Sequence, residues 1–156
     1  MKALLLNKPF DMRVMDCPDP QIGETDVLIR VSASGICAGD LHCYAGKSPY
    51  VIYPQICGHE ISGVIAAKGG QAGVLKEGTA VTIEPFISCG TCYPCRIGKR
   101  NCCSNLSIIG VHRPGGYAEM VVVPAIHVYE IPEMLDIRKA ALAEPVTVAL
   151  HACQRA

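Results

Sequence analysis

Four cysteines within fifteen positions, Cys89, Cys92, Cys95 and then Cys102 or Cys103, are spaced to wrap one loop around a tetrahedral ion. Zinc suits four thiolates because it has no geometric demand of its own and accepts soft ligands. Gly90 and Gly98 supply the sharp backbone turns that such a knuckle needs. The alternative is a set of reduced surface thiols or local disulfides, which so dense a cluster disfavours. Four thiolates leave no open position for a substrate, so a metal held here is structural. Spacing alone leaves Cys102 and Cys103 competing for the fourth place.

A second constellation is scattered along the chain. Cys37 lies in Gly35-Ile36-Cys37-Ala38-Gly39-Asp40-Leu41-His42, His59 in Gly58-His59-Glu60, and Glu144 far downstream. A catalytic zinc takes about three protein ligands and keeps one position for water or substrate. One thiolate, one imidazole and a carboxylate would meet that need. Singly, each residue has an ordinary explanation: Cys37 a core thiol, His59 a satisfied histidine, Glu60 a surface carboxylate.

These side chains need a scaffold that brings distant segments together, and the pattern of the chain is mainly β. Short runs rich in Val and Ile, bounded by Gly, Pro or Asp, predict strands at Lys2–Leu6, Met12–Met15, Asp26–Ser32, Glu60–Ala67, Thr79–Glu84, Gly116–Val123 and His127–Ile131. Alternation is clearest where Val27, Ile29 and Val31 share one face. Fifteen glycines and eleven prolines punctuate these runs, and a small barrel or rolled sheet is the natural container. Helical signals are few. Gly39–Tyr44 predicts a short turn, Asp136 caps a segment Ile137–Leu142, and Pro145 opens a helix Val146–Arg155 with Val146, Leu150 and Cys153 along one side.

The 156 residues suit one domain, and half of them are hydrophobic, which argues against disorder. Fourteen basic side chains balance fourteen acidic ones with no basic run, so nothing favours nucleic acid as a partner. No stretch predicts a membrane span or a signal peptide, and a cytoplasmic protein is expected. In that setting the ten cysteines point to metal and to buried thiols rather than to a disulfide framework. No G-x-G-x-x-G opens a βαβ unit; the nearest glycine cluster, Gly69-Gly70-Gln71-Ala72-Gly73, has the wrong spacing.

Gly-Ile-Cys-x-x-Asp-x-His, Gly-His-Glu-x-x-Gly and Cys-Gly-x-Cys-x-x-Cys with a later cysteine follow one another here in the order seen in zinc-containing medium-chain dehydrogenases. Gly115-Gly116-Tyr117-Ala118-Glu119 and the ending Glu144-Pro145-Val146 fit too, so the resemblance runs across essentially the whole chain. It is more similar to the polyol, sugar-acid and threonine dehydrogenase branch than to ordinary alcohol dehydrogenases, because Glu144-Pro145 stands where the latter carry a cysteine ligand. The resemblance implies an α+β, mainly β fold: a GroES-like rolled barrel with a zinc-knuckle lobe and a few short helices. It implies Cys37 and His59 as catalytic-zinc ligands with Glu60 or Glu144 as the carboxylate, and Cys89, Cys92, Cys95 and Cys103 as the structural set. Asp40 would hydrogen-bond and orient His59, and His42 would pass a proton to solvent.

Two positions depart from the family pattern. Gly39 stands where members usually carry Ser or Thr, the first hydroxyl of the proton relay, and Cys57 is a packing thiol beside Gly58-His59. The implied reaction oxidises a secondary hydroxyl of a polyol, sugar acid or related small molecule, with hydride passing to NAD or NADP. Family members continue from the last helix into a Rossmann domain and a C-terminal return, and assemble as homo-oligomers. Residues 1–156 alone are therefore expected to bind zinc and turn over poorly or not at all. The rival is a zinc-binding module without enzymatic activity, serving partner interaction or regulation.

Overall fold

A computed structural model describes all residues from 1 to 156. In chain order the elements are β1 (Lys2–Lys8), β2 (Asp11–Asp16), β3 (Asp26–Ser34), α1 (Ala38–Tyr44), β4 (Gln55–Ile56), β5 (Ile61–Lys68), β6 (Ala80–Ile83), β7 (Phe86–Ile87), α2 (Tyr93–Arg96), β8 (Ser107–Ile108), β9 (Met120–Pro124), β10 (Val128–Glu130) and α3 (Ala143–Arg155). Five strands form the main sheet in the order β10-β6-β5-β3-β9, and β2-β1-β4 form a second. All pairings are antiparallel. An isolated bridge between Ala3 and Ala118 links β1 to the chain entering β9, so the second sheet rolls against the edge of the first.

Alternation builds the core. Val27 and Ile29 of β3, Ile61 and Ile65 of β5, Val81 and Ile83 of β6, and Val121 and Val123 of β9 turn inward and are buried together. Each such side chain removed from water contributes about 1.5–3 kcal/mol. A smaller cluster of Leu6, Cys43, Val51 and Cys57 lies under the second sheet, with Met12, Tyr53 and Tyr117 against it.

All seven predicted strands are present, with ends moved by at most two residues except for one start. The strand predicted from Gly116 begins at Met120. Residues 115–117 instead run along the 56–58 segment, where Gly115, Gly116 and Tyr117 donate backbone N–H groups to Ile56, Gly58 and Cys57. The two-residue strands β4, β7 and β8 carry no alternation and were not predictable from pattern. The Asp136 carboxylate accepts from the Arg138 amide at 2.7 Å, but the expected capped helix Ile137–Leu142 does not form: the segment is a 3-10 turn, Lys139–Leu142, whose N-cap is Arg138 with no side-chain cap bond. That turn feeds directly into α3, which starts at Ala143 with Pro145 in its first turn. Val146 and Leu150, expected to share a side of this helix, are 60% and 56% exposed. No helix is long and apolar enough to cross a membrane.

Candidate functional site

The sheet register carries the scattered ligands to one place. Ser34 at the end of β3 pairs with Ile61 at the start of β5, and the Gly35 amide donates to the Glu60 carbonyl at 2.8 Å. Cys37, just beyond β3, therefore faces His59 and Glu60, just before β5. Ligand atoms of the three lie within 4.8 Å of one another, and Glu60 is buried. A Cβ at Gly35 would fall on the Glu60 carboxylate, so that side chain lies directly on the Gly35 backbone.

Cys37 also caps α1: its Sγ accepts from the Gly39 amide at 3.4 Å, while Asp40 Oδ2 accepts from the Cys37 amide at 2.9 Å. Asp40 is buried, and its Oδ1 accepts from the Gly58 amide at 3.2 Å. The direct bond expected between Asp40 and His59 is not made. His59 Nδ1 stands 3.9 Å from Asp40 Oδ1, beyond hydrogen-bond reach, because the carboxylate is drawn to the backbone amides and to the Tyr117 hydroxyl. His59 Nδ1 is left buried without a partner. His42 is exposed on α1.

Glu144 sits in the first turn of α3, outside the three-residue cluster but electrostatically within its reach. Burial raises the pKa of its carboxyl, the nearby His59 lowers it, and Glu60 raises it again. Glu144 also walls a cleft of about 400 Å³ between the end of β6, Tyr129 and the start of α3. Neither Glu60 nor Glu144 is paired with a Lys or Arg. Two buried, unpaired carboxylates beside a thiol and an orphaned imidazole nitrogen form a costly arrangement that a divalent cation would relieve. The donor set fits zinc.

The second cluster stands on the β7–β8 ribbon, where Phe86 pairs with Ile108 and Ile87 with Ser107. Cys89, Cys92, Cys95 and Cys103 bring their sulfurs within 4.8 Å of one another. Cys92 Sγ lies 3.4 Å from Cys95 Sγ and 3.9 Å from Cys103 Sγ. A tetrahedral ion with bonds of about 2.3 Å sets neighbouring sulfurs roughly 3.8 Å apart, whereas a disulfide needs about 2.05 Å. All ten cysteines are free thiols. Gly90 and Gly98 turn the loop at φ +73° and +81°. Hydrogen bonds from the Cys92 and Thr91 backbones lower the Cys89 thiol to about 5, and those from Ser104 and Cys95 lower Cys92. Burial, then the neighbouring sulfurs, pushes Cys95 up to about 11.

Cys57 is fully buried in the small core, where desolvation raises its pKa to about 12. His112 Nδ1 accepts from the Ile108 amide at 3.0 Å, a satisfied loop histidine. Sequence reasoning missed Tyr117. Its hydroxyl lies 3.0 Å from both the Gly35 carbonyl and Asp40 Oδ2. Burial first, then the Asp40 charge, raises its pKa far above the ordinary value, so it stays a donor. The signal was present in Gly115-Gly116-Tyr117, but nothing in spacing ties that run to Asp40.

Residues 23–133 match the family model described as the alcohol dehydrogenase GroES-like domain. The chain belongs to that family. This GroES-like domain is 44% identical over 156 residues to an uncharacterized zinc-type alcohol dehydrogenase-like protein of Haemophilus influenzae, with 99% of the chain and 46% of the relative aligned. It is 35% identical to the L-galactonate-5-dehydrogenase of Escherichia coli over 100% of the chain and 46% of the relative. Among solved structures, a putative zinc-binding dehydrogenase from Sinorhizobium meliloti bound to NADP superposes with a TM-score of 0.94 at 38% identity, covering 98% of the chain and 44% of that protein. The GroES-like domain thus spans a little under half the length of these relatives.

Proposed function

We propose that residues 1–156 are the metal-holding part of a zinc-dependent, NAD- or NADP-linked dehydrogenase that oxidises a secondary hydroxyl of a polyol or sugar acid. The observation that carries this reading is the cluster of Cys37, His59 and buried Glu60, three donors together, standing apart from a closed set of four thiols. Support for the substrate class and the cofactor comes from the similarity to a sugar-acid dehydrogenase and to a structure holding NADP.

Cys37, His59 and Glu60 would hold the catalytic zinc, with Glu144 close enough to exchange with Glu60 as the carboxylate ligand. Zinc held there supplies Lewis acidity toward a substrate hydroxyl, and the nicotinamide supplies the hydride acceptor. Asp40 fixes the backbone at Cys37 and at Gly58, next to His59. The exposed imidazole of His42 hands the substrate proton to solvent. Gly39 carries no hydroxyl for the first step of that relay, so either water takes that step or the relay is impaired. Cys89, Cys92, Cys95 and Cys103 hold the structural ion.

The test is a protein in which this chain is joined to a Rossmann domain and C-terminal return from the family. Polyols and sugar acids, galactonate among them, should reduce NAD or NADP, and Cys37→Ser should lower kcat/KM by at least about 1000-fold, in line with several kcal/mol of Lewis-acid stabilisation. Reduction of cofactor that persists in Cys37→Ser would rule out this role for the cluster.

A further inference from the structure

The chain reaches the open centre through three separate segments: Gly35 to Cys37, the first turn of α1, and Cys57 to His59. Tyr117 touches all three. Its hydroxyl lies 3.0 Å from the Gly35 carbonyl and 3.0 Å from Asp40 Oδ2, and its amide donates to the Cys57 carbonyl at 3.0 Å. Its ring lies against Gly58, where a Cβ would stand 2.6 Å from a ring carbon. The position of the ring is itself fixed from behind, since the Leu4 amide of β1 donates to the Tyr117 carbonyl at 2.7 Å.

We infer that Tyr117 is a positioning residue for the open metal centre, setting the separation of Cys37 and His59 through Asp40. The inference rests on the proposal that Cys37, His59 and Glu60 bind an ion. Asp40 Oδ2 is held jointly by the Cys37 amide and the Tyr117 hydroxyl, and Oδ1 by the Gly58 amide. Without the hydroxyl, one of these three restraints is lost and the carboxylate can rotate about its own bond. The Cys37 and Gly58 backbones then lose a shared fixed point, and the gap of 3.9 Å from Oδ1 to His59 Nδ1 is no longer set. Partners one step removed from a metal's ligands commonly change affinity by about 10–100-fold when removed. Tyr117 is placed to do so without hydrogen-bonding a ligand side chain.

Tyr117→Phe keeps the ring and its packing and removes only the hydroxyl. Cobalt(II), added to the metal-free protein in competition with a chelator, reports each centre by its absorption bands. The open centre of Tyr117→Phe should bind cobalt about 10-fold more weakly than wild type, with its visible d–d bands shifted, while the four-thiolate centre fills as before. Asp40→Ala should weaken the open centre at least as much, and the double variant should be no weaker than Asp40→Ala alone, because the two act in series. Wild-type affinity and spectrum in Tyr117→Phe would overturn the inference, as would additive losses in the double variant. Loss of both ions or of the folded state would also overturn it, by making Tyr117 a general structural residue. A wild-type protein that takes up no second ion would instead refute the proposed function on which the inference stands.

Discussion

Cys102 closes a 3-10 turn, Arg100–Cys102, and Cys103 is its cap, so the two neighbouring side chains leave the backbone in different directions. Cys102 is exposed, whereas Cys103 is buried with its sulfur accepting from the Cys89 and Asn105 amides, both at 3.3 Å. Cys103→Ser should therefore lose the structural ion, and with it about 2.7 kcal/mol of stabilisation at a free zinc concentration 100 times the dissociation constant. Cys102→Ser should keep both. Elemental analysis and thermal melts of the two variants check this, and an inverted result would move the cluster by one residue. At this scale the ligand types were legible from spacing, because thiols at short intervals have few other uses in one loop. The hydrogen bond from Tyr117 to Asp40 was not, since it joins residues 77 positions apart.

The elements matter through where they end. β3 and β5 pair out to Ser34 and Ile61, and the residues just beyond that pairing carry Cys37, His59 and Glu60. The inward faces of β3, β5, β6 and β9 were readable as alternation of Val and Ile, a local signal. The two-residue strands β4, β7 and β8 are defined by their partners, and the late start of β9 follows from the bonds that residues 115–117 make to the 56–58 segment. No local pattern encodes either. Helix α1 begins at the candidate ligand Cys37 and contains Gly39, whose added Cβ would meet only Cys37 Sγ at an ordinary 3.8 Å. Gly39→Ala should thus stabilise the fold by about 0.4–1 kcal/mol through the unfolded chain. Gly39→Ser, which restores the hydroxyl usual in the family, should retain both metals. Chemical denaturation with metal analysis checks both, and loss of the fold in either variant would show that α1 tolerates no side chain there.

The whole molecule combines a rolled β scaffold with two side-chain clusters of opposite design, each able to hold a metal ion. One is a lobe of four thiols with no open position. The other is a trio of Cys37, His59 and the buried Glu60, with Glu144 within electrostatic reach from the start of α3. The family-level fold was legible because its motifs fall in order along the chain, and the structure adds how Asp40 and Tyr117 tie the segments of the open centre together. Zinc content measured by elemental analysis, on protein purified without chelator, tests the pairing of the two centres most directly. The structure leads us to expect two zinc ions per chain in the wild type, and one in His59→Ala with the fold retained. No more than one ion in the wild type, or two still bound in His59→Ala, would contradict it.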